Sequence, residues 1–247
     1  MKVLKVSLTE VLLTIAICLL VSCYVTPVEA VPLSNTEISW AQFESIADIN
    51  NSVTDALEGF FNFEIAGVDS FFPDGLVYSQ VFPGKGSAAE FNVYVYQFQV
   101  YELFSDVSLT EVSFEFPVNP ENFPVKIDDD DVTSFWVNET DPDIGIGDAS
   151  VAPDEVTWDN GVLKFTFSNP FQGVSFIVGV FAPKNMPPEE TITKLGTDPA
   201  DASPIILPTV YMPTPEPSFV VCLGLGIFAC LIRGRRSLRG FMGRRRE

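Results

Sequence analysis

Two aspartate-rich runs hold most of the chemistry that the residue types of this chain allow. Asp128-Asp129-Asp130-Asp131 stands just before a strand-like stretch, and Asp141-x-Asp143-x-Gly145-x-Gly147-Asp148 alternates acid with glycine. Closely spaced carboxylates on a loop supply hard oxygen ligands, and calcium takes about six to eight of them. Asp128, Asp130, Asp141, Asp143 and Asp148 are therefore the candidate calcium ligands, and the same runs also read as solvated negative loops. Neither follows the EF-hand spacing, in which a glutamate closes the loop.

Composition removes most other chemistry. The chain has no histidine, which excludes histidine general bases, Ser-His-Asp and Cys-His triads and the common catalytic zinc sites. Its four cysteines, Cys18, Cys23, Cys222 and Cys230, all lie in the terminal apolar segments. The stretch between them thus has neither a thiol nucleophile nor an intramolecular disulfide, and relies on its core. A carboxylate pair across a cleft, as in glycoside hydrolysis, is the catalysis that remains. No aspartate or glutamate sits in a motif that would raise its pKa, and there is no phosphate-binding loop or dinucleotide fingerprint. The expectation is a non-catalytic protein whose one conceivable cofactor is calcium.

Over the whole chain 33 acidic residues oppose 14 basic ones, for a net charge of -19. Between Val31 and Pro217 the basic residues are Lys85, Lys126, Lys164, Lys184 and Lys194 alone. Such a body repels nucleic acid phosphates and anionic membrane surfaces, so nucleic acid is not an expected partner. Calcium, cationic surfaces and neutral sugars remain.

The elements that must position these groups are mostly strands. In residues 32–51, Ile38 and Trp40 alternate as a strand would, while Ser39 can cap a short helix with Phe43, Ile46 and Ala47 on one face, which is the expected element. From Phe60 the period changes to two, with Phe61, Phe63 and Ile65 alternating against Asn62 and Glu64 up to a turn at Pro73-Asp74-Gly75. Leu76–Phe82 and Phe91–Phe104 follow as strands. In the second, Tyr94, Tyr96, Phe98 and Val100 form one face, which reads as core rather than as a sugar-stacking row. Its other face is apolar at first and returns to polar at Gln97 and Gln99. Glu111–Phe116, Val132–Val137 and Val174–Phe181 are further strands, and Asn160-Gly161 predicts a type I′ hairpin within Val156–Phe167. Thr191–Leu195 and Ile205–Tyr211 read as edge strands. Eight or more short strands, and no helix long enough to cover a parallel sheet, predict an all-β antiparallel β-sandwich, Ig-like or jelly-roll-like.

The two ends are different in kind. Lys2 and Lys5 precede an uncharged apolar run, Val11–Val21, the pattern of a secretory signal peptide. Val28-Glu29-Ala30 offers a cleavage site before Val31, and Leu20-Val21-Ser22-Cys23 resembles the bacterial lipobox, which leaves lipidation at Cys23 as the alternative. The expected organisation is a signal peptide over 1–30, a β-sandwich over 31–211 and a C-terminal segment over 212–247.

That last segment runs from Pro215-Glu216-Pro217 into the apolar stretch Phe219–Ile232, read as a transmembrane helix, and then into Arg233-Gly234-Arg235-Arg236. All seven arginines of the chain lie from Arg233 onward, which orients the body to the outside. The order resembles the PEP-CTERM sorting signal of bacterial exported proteins, with Pro215, Glu216 and Pro217 as the motif and Arg233, Arg235 and Arg236 as the basic stop. The resemblance covers only this segment. It implies processing by the transpeptidase exosortase, a transient membrane anchor, and delivery to the cell surface or extracellular polysaccharide matrix of a Gram-negative, biofilm-forming bacterium. Three functions follow as expectations. The first is a non-catalytic surface or matrix protein that binds exopolysaccharide. The others are a structural coat or biofilm matrix component with calcium-mediated cohesion, and a carboxylate-dependent glycan hydrolase.

Overall fold

The computed structural model describes residues 30–65, 68–69, 73–101, 107–139, 144–146, 149–198 and 202–214. The expected signal peptide up to residue 29, and the sorting segment from Pro215 onward, lie outside the described residues. No helix among the described residues is long and apolar enough to cross a membrane.

The chain begins with β1 (Val31–Pro32), β2 (Thr36–Ile38) and the helix α1 (Trp40–Ile46), then β3 (Leu57–Ile65), β4 (Val68–Asp69), β5 (Gly75–Pro83) and β6 (Phe91–Val100). It continues through β7 (Ser108–Glu115), β8 (Val125–Ile127), β9 (Asp130–Val132), β10 (Ser134–Val137), β11 (Glu155–Asp159) and β12 (Val162–Phe171). The last strands are β13 (Gly173–Val174), β14 (Ile177–Pro183), β15 (Pro188–Asp198), β16 (Ser203–Ile206) and β17 (Thr209–Pro213). They form a six-stranded sheet in the order β1-β11-β12-β7-β15-β17 and a nine-stranded sheet built on β16-β3-β5-β6-β14-β10-β2, with β8-β9 as a separate hairpin.

The two large sheets pack face to face. Period-two alternation sends Tyr94, Tyr96 and Phe98 of β6 toward Phe114 and Phe116 of the β7 region and Phe165 of β12. The ring centroids of Tyr96 and Phe114 lie 4.7 Å apart, those of Tyr94 and Phe116 5.6 Å, and those of Phe98 and Phe165 5.6 Å. The aromatic row is therefore core, each ring having no solvent exposure. Burial of a side chain of this size stabilises by roughly 1.5–3 kcal/mol.

A second core covers the other face of the nine-stranded sheet. Helix α1 starts at a capping box, the Ser39 hydroxyl accepting from Gln42 N at 3.3 Å and Gln42 Oε1 accepting from Ser39 N at 2.7 Å. It lays Phe43 and Ile46 onto Phe82 and Phe135, the Phe43 ring 6.2 Å and 5.9 Å from theirs. Sheet strands buried on both faces thus lie between two apolar layers.

The fold is all-β and sandwich-like, with some departures from expectation. β2 pairs with β10 in parallel, so the larger sheet is mixed rather than purely antiparallel. Pro73-Asp74-Gly75 does not reverse the chain. Asp74 is buried with its carboxylate accepting from Phe63 N at 2.7 Å, and Gly75 opens β5 with its Cα hydrogens against Gln99 O, where a Cβ would stand 2.1 Å from that oxygen. β15 is no edge strand, since it lies between β7 and β17. β17 runs to Pro213, two residues past the expected body boundary at Tyr211. Its backbone is clasped from the opposite sheet, Tyr211 N donating to Ser79 Oγ at 3.0 Å and the Tyr96 hydroxyl to Tyr211 O at 2.8 Å.

Candidate functional site

Among the described residues an open groove of about 540 Å³ lies beside β15. β15 supplies Glu190, Thr191, Ile192 and Lys194 to its lining. Alternation along this strand exposes Glu190, Ile192 and Lys194 and buries Thr191 and Thr193. Phe114 and Glu115 of β7 and Val162 of β12 add to the lining, and Met212 of β17 and Leu207 complete it.

The position of Leu207 follows from three local contacts. Thr193, wholly buried, donates both its N–H (2.9 Å) and its hydroxyl (2.8 Å) to Pro208 O, which ties the β16–β17 connection to β15. Gly59 in β3 lets that connection come close, for a Cβ there would lie 2.7 Å from Pro208 Cβ. The result leaves Leu207 40% and Ile192 58% exposed, two apolar side chains presented to solvent beside carboxylates and an ammonium. Chemically the groove offers aliphatic surface for the C–H face of a ligand, carboxylate acceptors at Glu115 and Glu190, and a donor at Lys194.

The acidic run at Asp128 forms a tight turn. Asp128 and Asp129 have φ of 48° and 73° and are the two central residues of the β8–β9 hairpin, in which Ile127 pairs with Asp130. Aspartate tolerates this left-handed backbone better than most residues. The Asp128 carboxylate accepts from Gln42 Nε2, joining the turn to α1. Lys126 Nζ pairs with Asp131 at 3.0 Å and donates to Asp129 O at 3.0 Å. Asp130 is exposed on β9.

Among the described residues no three acidic side chains converge as a metal site would need. Asp141, Asp143 and Asp148 lie outside the described residues, as do Pro215, Glu216, Pro217, Arg233, Arg235 and Arg236. The structure therefore brings Asp128 and Asp130 into one turn and leaves the other predicted ligands and the sorting motif undescribed.

The groove residues carried no sequence signal of their own. Glu115 and Glu190 are two among 33 acids, and only the pairing of β15 with both β7 and β17 gathers them. Comparison with protein-family models, with curated proteins and with solved structures finds no match to the chain.

Proposed function

We propose that the chain is a non-catalytic exported protein, sorted by exosortase to the cell surface or extracellular matrix of a Gram-negative bacterium, whose β-body binds polysaccharide. The observation that carries the binding is the groove, where exposed Ile192 and Leu207 stand beside Glu115, Glu190 and Lys194. An extended chain of neutral sugars has the matching chemistry, with apolar ring faces and a rim of hydroxyls. The destination rests on the resemblance of residues 215–236 to the sorting signal and on the signal-peptide pattern before Val31.

The fold supporting this reading is an all-β sandwich. From β6 onward the chain alternates between the two sheets, β7 in the smaller, β10 in the larger, β11 and β12 in the smaller, β14 in the larger, β15, β16 and β17 alternating again. Such crossings between sheets occur in both jelly-roll-like and Ig-like sandwiches. Calcium enters the reading through the acidic loops, with Asp128, Asp130, Asp141, Asp143 and Asp148 as its ligands.

Two measurements test it. Mass spectrometry of the mature surface protein should find a C-terminus close to Pro215-Glu216-Pro217; an intact tail ending at Glu247 defeats the sorting proposal. A glycan array probed with the exported protein, with and without calcium, should show saturable binding that Ile192→Asp weakens. Absence of glycan binding under both conditions removes the binding proposal.

A further inference from the structure

At the edge of the nine-stranded sheet remote from the groove, β2 and β10 pair with Trp136 opposite Glu37 and Val137 opposite Ile38. Ile38, Phe135 and Val137 are buried in the second core. The period of two therefore directs Glu37, Trp136 and Asn138 to the other face. Trp136 is half-buried against the first core. Phe176, just before β14, is also half-buried and packs on Trp136, with centroids 4.9 Å apart and the rings tilted by 37°. On the same face Asn138 Nδ2 donates to Glu37 Oε1 at 2.7 Å, and both residues are exposed.

Trp136 alone would serve as a plug at the seam between the sheets. With the half-buried Phe176 ring and an oriented carboxylate–amide pair beside it, the seam also presents an aromatic patch with a polar rim. An aromatic face is electron-rich and attracts the weakly positive C–H bonds of a sugar ring. A carboxylate with an occupied oxygen still accepts from hydroxyls, and the amide keeps its own acceptor and second N–H. The Glu37 charge disfavours uronic acids and other anionic sugars.

We propose that Trp136, Phe176, Glu37 and Asn138 form a second saccharide-binding site, which takes one pyranose unit of a neutral polysaccharide on the edge of the sandwich opposite the groove. This rests on the polysaccharide-binding reading above and adds to it a place and a sugar class.

The test uses the full chain in detergent, titrated with dextran, laminarin and galactomannan, with affinity-gel retardation and tryptophan emission as readouts. One of these glycans should bind saturably, with a change in emission. Glu37→Ala and Asn138→Ala, both at exposed positions and so benign to folding, should each weaken binding about tenfold, the loss of one charge-assisted or bidentate contact. Trp136→Phe should retain an apolar ring but abolish the emission change. If a glycan binds the parent and all three variants match it in affinity and emission, the second site is refuted while polysaccharide binding stands. If the parent binds none of the three, the site and the reading it rests on both fall.

Discussion

Replacing Gln97 by leucine removes at least two hydrogen bonds from the interior of the nine-stranded sheet at nearly constant side-chain volume. Gln97 has no solvent exposure. Its Nε2 donates to Ser175 O at 2.9 Å and its Oε1 accepts from Ile146 N, so one side chain holds both the β13–β14 junction and the segment at Gly145. A Cβ on Gly145 would lie 2.3 Å from that Oε1, and Gly145 adopts φ of 92°, which shows how closely the segment is drawn in. Losing the amide partner leaves a buried Ser175 carbonyl unsatisfied by this route, at about 1–3 kcal/mol. The Ile146 N–H belongs to a half-buried residue that water reaches, and its loss costs about 0.5–1.5 kcal/mol. Leucine returns about 1 kcal/mol through apolar burial. The net expectation is a destabilisation of about 2 kcal/mol, which lowers a urea midpoint by about 1 M at a slope near 2 kcal/mol/M. The assay is equilibrium unfolding followed by tryptophan emission, with Gln99→Leu, two residues along the same face but half-buried, as control within about 0.5 kcal/mol of the parent. A Gln97→Leu midpoint equal to that of the control refutes the clamp.

Three further outcomes follow from local geometry. Ser39→Ala removes one half of the capping box and should cost about 1 kcal/mol in thermal unfolding, with Ser39→Asp close to the parent. Gly161→Ala meets nothing nearer than Pro117 Cα at 3.8 Å, so its cost should come from φ of 86° alone, about 1 kcal/mol, measurable by urea titration. Burial pushes the Tyr78 phenol up to about 12, with the Glu58 charge adding to it and a hydrogen bond to the Gly145 backbone opposing, and burial raises Tyr94 and Tyr96 well above the ordinary value. These phenols keep their protons in the folded state where the unfolded chain has lost them. Stability should therefore be intact below about pH 10 and fall as pH rises through 10 to 12, with buried-phenolate absorbance appearing only on unfolding.

Where local chemistry decides structure, the sequence was readable. Asn160-Gly161 forms the hairpin between β11 and β12 with both residues at positive φ, as the turn type demands. Ser39 caps α1, and the alternation of Tyr94, Tyr96 and Phe98 becomes the floor of the first core. Other features depend on partners distant in the chain. Gln97 looks like a return to solvent, and only Ser175 and Ile146 make it interior. β2 is three residues long, too short for periodicity, and its parallel partner lies about a hundred positions away. Asp128-Asp129 contains no glycine to announce a turn, so the β8–β9 hairpin is not legible in the sequence. The groove is invisible for the same reason: Glu115, Ile192, Leu207 and Met212 become neighbours only through the strand order β7-β15-β17 and the Thr193–Pro208 tie.

The clasp on β17 bears on how the body carries a pull. β17 ends the six-stranded sheet and leads into the C-terminal segment, so tension arriving from that end enters through the residues near Pro213. An edge strand held only by its ladder to β15 would peel away one bond after another. Here Ser79 and Tyr96 of the other sheet grip the backbone at Tyr211, so the load spreads to β5 and β6 before the ladder opens. The side-chain grip makes the last strand a shackle between the two sheets, and the force that detaches it is set by both sheets yielding together.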